Sequence, residues 1–214
     1  MEIIPTKDGS FTLYNSLINE NYHSTFGARQ ESMHVFIANG LNKCAGKDVA
    51  ILEVGLGTGF NAMLTYQNAA GRNIQYTGLE PFPVALPQLK KYIAMNASQS
   101  ELPIWQKLMI DLENNQVISA SFIFNKLALS IQNFESNYMF DIVYFDAFAP
   151  DKQAEMWQID VFEHLYKLLK IGGILVSYCA KGAFKRNLKE VGFKVMALPG
   201  PPGKREMTFA QKII

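Results

Sequence analysis

Two hydrophobic periods alternate along most of this chain of 214 residues. Short, nearly continuous apolar runs at Val49–Val54, Ile74–Leu79, Val117–Phe124, Phe140–Phe145, Gly173–Tyr178, Phe193–Leu198 and Met207–Ile213 read as strands. Between them, Asn61–Asn68, Val84–Asn96, Ala128–Phe134, Glu155–Lys170 and Phe184–Val191 carry apolar residues at helical spacing. Runs such as "IVYF" and "ILVSY" suit strands buried on both faces of a mostly parallel sheet. Regular alternation of this kind predicts an open α/β sheet with helices on both sides.

Two departures from the alternation refine that picture. The last two strands are joined by "PGPPGKRE", with no helix between them, so a hairpin makes the final strand antiparallel. Seven strands ending this way separate a Rossmann-like class I methyltransferase sheet from an ordinary dinucleotide-binding one. The first forty-odd residues follow a different rule. "SFTLYNSLINENYHS" reads as a small hairpin, and "ARQESMHVFIANGL" places Met33, Phe36, Ile37 and Leu41 on one helical face. Residues 1–45 are therefore expected to form a hairpin-and-helix extension and residues 46–214 the main domain.

Composition narrows the class. The chain is 49% hydrophobic and 18% charged, which suits a compact fold with a sizeable core. No apolar run approaches the roughly 20 residues of a membrane helix, and no secretory signal is visible. Cys44 and Cys179 form no CxxC pair, and the three histidines are scattered, so no metal site and a cytoplasmic location are expected. Net charge is +1, but it is unevenly spread: Lys167–Ile214 carries +8 and the remainder −7. A basic C-terminal face suits an anionic partner, and equally suits solvated helix lysines.

Candidate chemistry starts at "ILEVGLGTGF". Glu53 precedes glycines at alternate positions, Gly55, Gly57 and Gly59, where a strand ends and a helix begins. Such a turn lets the backbone approach a ligand at the carboxyl end of the sheet. A dinucleotide fingerprint would be G-x-G-x-x-G, and here the third glycine comes one residue early. The next strand ends in "YTGLEPFP", placing Glu80 where a carboxylate accepts hydrogen bonds from ribose hydroxyls. S-adenosylmethionine and NAD both remain open at this point, with the glycine spacing favouring the former.

The fourth core strand runs into "YFDAFAPDKQAEMW". Asp146 to Pro150, with Lys152, Glu155, Met156 and Trp157, resembles the methyltransferase domain of the MnmC family, which makes 5-methylaminomethyl-2-thiouridine at the tRNA wobble position. Gln153 and Ala154 depart from the family's Asn-Pro. Tyr22, Ser24, Glu31, Val35 and Phe36 match its N-terminal spacing, "LEPFP" its Phe-Glu-Lys-Phe-Pro, and "GPPGKREM" its C-terminal ending. The resemblance implies an enzyme that methylates the primary amine of 5-aminomethyl-(2-thio)uridine, with S-adenosyl-L-methionine as cofactor and tRNA as partner.

Under that resemblance Asp146 is the catalytic acceptor. Glu53, Gly55, Gly57, Gly59, Glu80 and Asn125 are expected to bind cofactor, with Tyr22, Ser24 and Glu31 forming a flap over its methionine end. Phe148 and Pro150 would shape the base pocket, and Lys181, Lys185, Arg186, Lys204 and Arg205 would meet tRNA phosphates. Asn125-Lys126 stands where the family commonly has Gly-Asp against the adenine amino group. Asp111, the nearest upstream acid, is expected on a helix surface. Many family members carry a fused oxidase domain. This chain ends seven residues after Met207, so a stand-alone form served by a separate enzyme that supplies the amine is expected. Two rival classes stand beside this reading: a methyltransferase of a small metabolite or protein, and a non-catalytic RNA-binding module.

Overall fold

The computed structural model describes residues 1–69, 71–110 and 116–214. Asp111 lies outside the described residues. A small antiparallel sheet, β1 (Glu2–Pro5), β2 (Phe11–Asn15) and β3 (Glu20–Asn21), opens the chain. A short helix α1 (Ala28–Ser32) and a π-helical turn over Met33–Ala38 follow.

The main sheet then builds from β4 (Asp48–Val54), α2 (Phe60–Gln67), β5 (Asn73–Leu79), α3 (Leu86–Asn96), α4 (Leu102–Met109), β6 (Gln116–Ser119) and β7 (Phe122–Leu127). It continues through β8 (Phe140–Phe145), α5 (Ile159–Leu168), β9 (Leu169–Ser177), α6 (Gly182–Val191), β10 (Phe193–Pro199) and β11 (Glu206–Lys212). The strand order is β10-β11-β9-β8-β4-β5-β7-β6. β9-β8-β4-β5-β7 are parallel, and β11 runs antiparallel between β9 and β10. From β4 the chain first winds toward β5 and β7, then returns to β8 and winds the other way. That reversal opens a crevice at the carboxyl ends of β4 and β8.

Pleating divides the core in two. Val49 and Ile51 of β4 pack into one cluster with residues of α2, α3 and α4, while Ala50, Leu52 and Val54 pack into the other with α5 and α6. Leu13, Ala28, Val35, Phe36, Ile37 and Leu41 join the first cluster, so the N-terminal segment shares the core of the sheet.

Several expected elements differ. Val117–Phe124 is two antiparallel strands, turning at residues 120–121, and the added edge strand makes the sheet eight-stranded. A continuous apolar run hides such a turn because both strands are apolar. Ala128–Phe134 holds a single 3₁₀ turn at Ile131–Asn133 instead of a helix. Its two buried apolar residues, Ile131 and Phe134, are enough to anchor one turn. Glu155–Lys170 divides into a 3₁₀ turn (Ala154–Trp157) and α5, and β9 begins at Leu169, ahead of the expected Gly173. The helix α4 is expected from the sequence only as a helix around Asp111, without bounds, and it ends at Met109. Pro103 suits its first turn, and Trp105, Leu108 and Met109 form its buried face.

Trp105 connects this helix to the ligand-facing loop. Its ring stacks on Phe60 at 5.1 Å, meets Tyr92 edge-on, and its Nε1 donates to the Thr58 carbonyl at 2.9 Å. It is fully buried. Trp105→Ala is expected to lower stability by about 3–5 kcal/mol, as for other buried aromatic truncations. Urea unfolding measures this, and a loss under about 1 kcal/mol would show the site collapses without cost.

Candidate active site

The crevice is a cavity of about 1060 Å³ at the carboxyl ends of β4, β5 and β8, roofed by the N-terminal segment and the β10–β11 loop. Its floor is the glycine turn. Gly55 has φ +90°, and a Cβ there would lie 2.5 Å from the Asp146 carbonyl oxygen. Only glycine lets β4 and β8 end this close together. Gly57 has φ +52°, and a Cβ would stand 3.1 Å from the Tyr22 ring. Gly59 caps α2 and packs beneath the Met109 side chain.

Glu80 lies at the end of β5. Its Oε2 accepts from the Gly57 amide at 2.9 Å and its Oε1 from the Phe82 amide at 3.0 Å. Burial raises its pKa, and those two amides oppose the shift. Each oxygen keeps lone pairs for a diol. Glu31 reaches in from α1. Its Oε2 accepts from the Ser24 amide at 2.8 Å, and its Oε1 accepts from Lys204 Nζ at 2.5 Å. Lys204 also lies 3.9 Å above the Tyr178 ring.

Asp146 follows β8, its amide donating to the Val54 carbonyl at 2.9 Å. Its carboxyl lines the cavity. Burial, then the nearby Glu31 carboxylate, push its pKa up to about 7, against the Asn61 hydrogen bond and the Lys204 cation. His23 also lines the cavity, and burial holds its pKa down to about 4, so it is neutral at pH 7. Five carboxylates and two lysines line the space. A net negative pocket with a diol acceptor on a glycine floor fits a ribosyl cofactor that carries an ammonium and a sulfonium.

Not every expected site residue reaches the cavity. Tyr22, Ser24, Glu31, Gly55, Gly57, Glu80, Asp146, Phe148 and Lys204 do. Tyr22 packs edge-on against Phe148 at 5.1 Å. Glu53 is fully buried behind the floor, bound by Tyr76 and Asn61. Asn125 is on β7 and does not line the cavity. Its Oδ1 is buried without a partner, and Leu129, Ser130 and Ile131 form the nearby wall. Pro150 also lies off the cavity, whereas Gln153 lines it and accepts from the Phe148 amide through Oε1 at 3.2 Å. Trp157 is core, packed against Phe145 and Phe184.

The basic residues separate into two groups. Lys181 pairs with Asp151 at 2.6 Å and Lys185 with Glu206 at 2.7 Å, while Arg186 and Arg205 are exposed. Three residues at the site escaped the sequence reading. Asn61 follows the last glycine by two positions and touches Asp146. Tyr178 directly follows β9 and donates to the Ala147 carbonyl at 2.9 Å. Phe82, two residues past Glu80, is 78% exposed at the rim. Strand-end position was the available signal for the last two.

A family model described as S-adenosyl-L-methionine-dependent methyltransferase matches residues 87–213. The chain belongs to this family. S-adenosyl-L-methionine is thus its cofactor. The chain is also similar to the tRNA 5-methylaminomethyl-2-thiouridine biosynthesis bifunctional proteins MnmC of Cupriavidus metallidurans (30% identical, 98% of this chain, 34% of the relative) and Cupriavidus necator (31% identical, 92% and 32%). It spans about a third of the length of these curated relatives. Among solved structures, MNMC2 from Aquifex aeolicus superposes with a TM-score of 0.81 at 26% identity over 98% of this chain and 70% of that one. A methyltransferase from Pyrococcus furiosus shares the fold, with a TM-score of 0.52 at 16% identity over 81% and 80%. Among the described residues no helix is long and apolar enough to cross a membrane, and no group of three or more metal-ligating side chains occurs.

The shifted Asp146 has a thermodynamic consequence. Its folded pKa, about 7, lies above its unfolded value near 3.8. The native state therefore binds the proton more tightly, and stability is lost as pH rises from about 4 to 7. The full penalty, about 2–4 kcal/mol, is present above pH 7. Asp146→Asn keeps the shape without the charge. It should melt above wild type at pH 8 and no higher than wild type at pH 4, and an equal difference at both pH values would exclude a buried-charge origin.

Proposed function

We propose that this protein transfers the methyl group of S-adenosyl-L-methionine to the primary amine of 5-aminomethyl-(2-thio)uridine at the tRNA wobble position. The observation that carries the proposal is a carboxylate, Asp146, at the switch point of a cavity of about 1060 Å³, bordered by an exposed apolar rim. Leu17 is 94% exposed and Phe82 78%, with Phe26 beside them at the mouth. Such side chains suit the faces of a base turned out of its stack. The similarity to MnmC proteins supports the same substrate.

The cofactor supplies an already activated methyl, so the protein's work is placement. Glu80 would hold the ribose diol, the Gly55–Gly59 turn would lie against the cofactor, and Glu31 would offer a carboxylate to its ammonium. Phe148 and Tyr22, in edge contact, form one wall against the base. The substrate nitrogen uses its lone pair to form the new C–N bond as the C–S bond breaks and its electrons return to sulfur. The nitrogen then carries an extra proton, and Asp146 accepts it. Holding the two reactants in line accounts for up to about 7–11 kcal/mol of barrier.

Under this proposal the incoming tRNA already carries the aminomethyl group. A separate enzyme is the proposed source, and a cytoplasmic setting fits a tRNA substrate. Lys204 is committed to Glu31, so the phosphate-contact role rests best on the exposed Arg186 and Arg205.

Purified protein should methylate tRNA bearing 5-aminomethyl-uridine and leave the carboxymethylaminomethyl form unchanged, read by mass spectrometry of digested nucleosides. The single-turnover rate should rise with pH through about 7 as Asp146 ionises. Asp146→Asn should lose most of the rate, about a hundredfold or more, while binding cofactor normally. Methylation of a small metabolite or protein in preference to tRNA would replace this reading with its rival. For Arg205→Ala, the Michaelis constant for tRNA should rise and the salt slope should fall by about one. An unchanged slope would leave Arg205 a solvated surface charge.

A further inference from the structure

The amide of Asn61 stands between two acids. Its Nδ2 lies 2.8 Å from Glu53 Oε1 and 2.8 Å from Asp146 Oδ2. One nitrogen carries two hydrogens, so each carboxyl receives one. With both acids ionised this sense of the amide gives each a donor, whereas reversed its oxygen would face both. Asn61 Oδ1 is buried without a partner. The side chain is therefore committed wholly to the two contacts, at the expense of an unsatisfied acceptor.

Glu53 is a rigid abutment. It is fully buried, and its second oxygen accepts from Tyr76 Oη at 2.7 Å. Tyr76 is itself fully buried among Phe122, Phe124 and Tyr144. Asn61 is held from its own side too, since the Thr65 hydroxyl donates to its carbonyl at 2.7 Å. Asp146 Oδ2 is thus tied to the sheet interior. Its Oδ1 has no partner among the described residues, and the residue lines the cavity.

We propose that Asn61 is a positioning residue, whose amide nitrogen ties Glu53 to Asp146 and thereby leaves one defined carboxylate oxygen to meet the substrate amine. The proposal rests on the reading of Asp146 as the proton acceptor. It also assigns Glu53 a task that its burial makes impossible for a cofactor ligand: it anchors the strut from behind. A carboxylate free to rotate about its Cβ–Cγ bond would present its acceptor lone pairs in the right direction for a fraction of encounters only.

The test uses Asn61→Leu, close in volume and without donors, with thermal melting as a folding check. The cofactor dissociation constant by calorimetry and the Michaelis constant for aminomethyl-tRNA should each stay within about threefold of wild type. The single-turnover rate at saturation should fall at least about tenfold. Its pH midpoint should move upward, because a hydrogen bond favouring the carboxylate is gone. The other charged and titratable groups facing Asp146 stay in place: Glu31 from α1, Lys204 from the β10–β11 loop, Glu53 from β4, Tyr76 from β5 and Tyr178 just after β9. The double variant with Asp146→Asn should be no slower than Asp146→Asn alone.

Wild-type rate and pH midpoint in Asn61→Leu, or losses that multiply in the double variant, would overturn the proposal while leaving Asp146 as acceptor. Asp146→Asn at wild-type rate would instead remove the underlying reading and the proposal with it. Should Asn61→Leu fail to fold, Asn61→Gln retains both hydrogens on a longer arm. It should show an intermediate rate and an intermediate pH midpoint, and a wild-type midpoint with reduced cofactor affinity would assign Asn61 to the cofactor cradle instead.

Discussion

Everything at the site depends on how closely the carboxyl ends of β4 and β8 approach. The Asp146 amide donates to the Val54 carbonyl, and the Asp146 carbonyl presses on the Cα of Gly55. Any side chain at position 55 would push the strands apart at the point where strand order reverses. The contact places Asp146 directly over the glycine turn. The Asp146 carboxyl after one strand and the glycine turn after its neighbour are thus kept within one backbone hydrogen bond of each other.

Charge is arranged around that contact. Asp146, Glu31 and Glu80 converge from three separate segments, and Lys204 enters from a fourth. Burial first, and then the neighbouring Glu31 carboxylate, raise the Asp146 pKa to about 7. A cationic cofactor would relieve that crowding of acids. The Glu31–Lys204 pair also joins the N-terminal segment to the C-terminal loop across 173 residues of sequence. The roof of the cavity is therefore one continuous piece, although it comes from opposite ends of the chain.

The main elements were legible because their residues answer to local rules. Val49–Val54 and Phe140–Phe145 are apolar throughout, as strands covered on both faces must be, and both occur where expected. The glycines, Glu80 and Asp146 were legible because strand-end position is itself local. Errors arose where the local signal was ambiguous. The β6–β7 turn interrupts an apolar run without glycine or proline, and Ala128–Phe134 has helix-like spacing over one turn only.

Sequence alone determined the fold class, the register of cofactor floor to acid, and the family to which these motifs point. Each depends on spacings within a single segment, where backbone geometry converts residue number into distance. Tertiary structure alone decided which polar groups meet. Glu53 and Asn125 stand at cofactor-like positions, yet one is sealed behind the floor and the other is set off the cavity. Lys204 looks like a phosphate contact in a basic tail, yet it is paired with Glu31 inside the roof. Asn61 carries no signal in the sequence, since its importance lies in standing 2.8 Å from two acids that are 93 residues apart. Such pairings are set by packing between distant segments, and no local pattern encodes the distance between them.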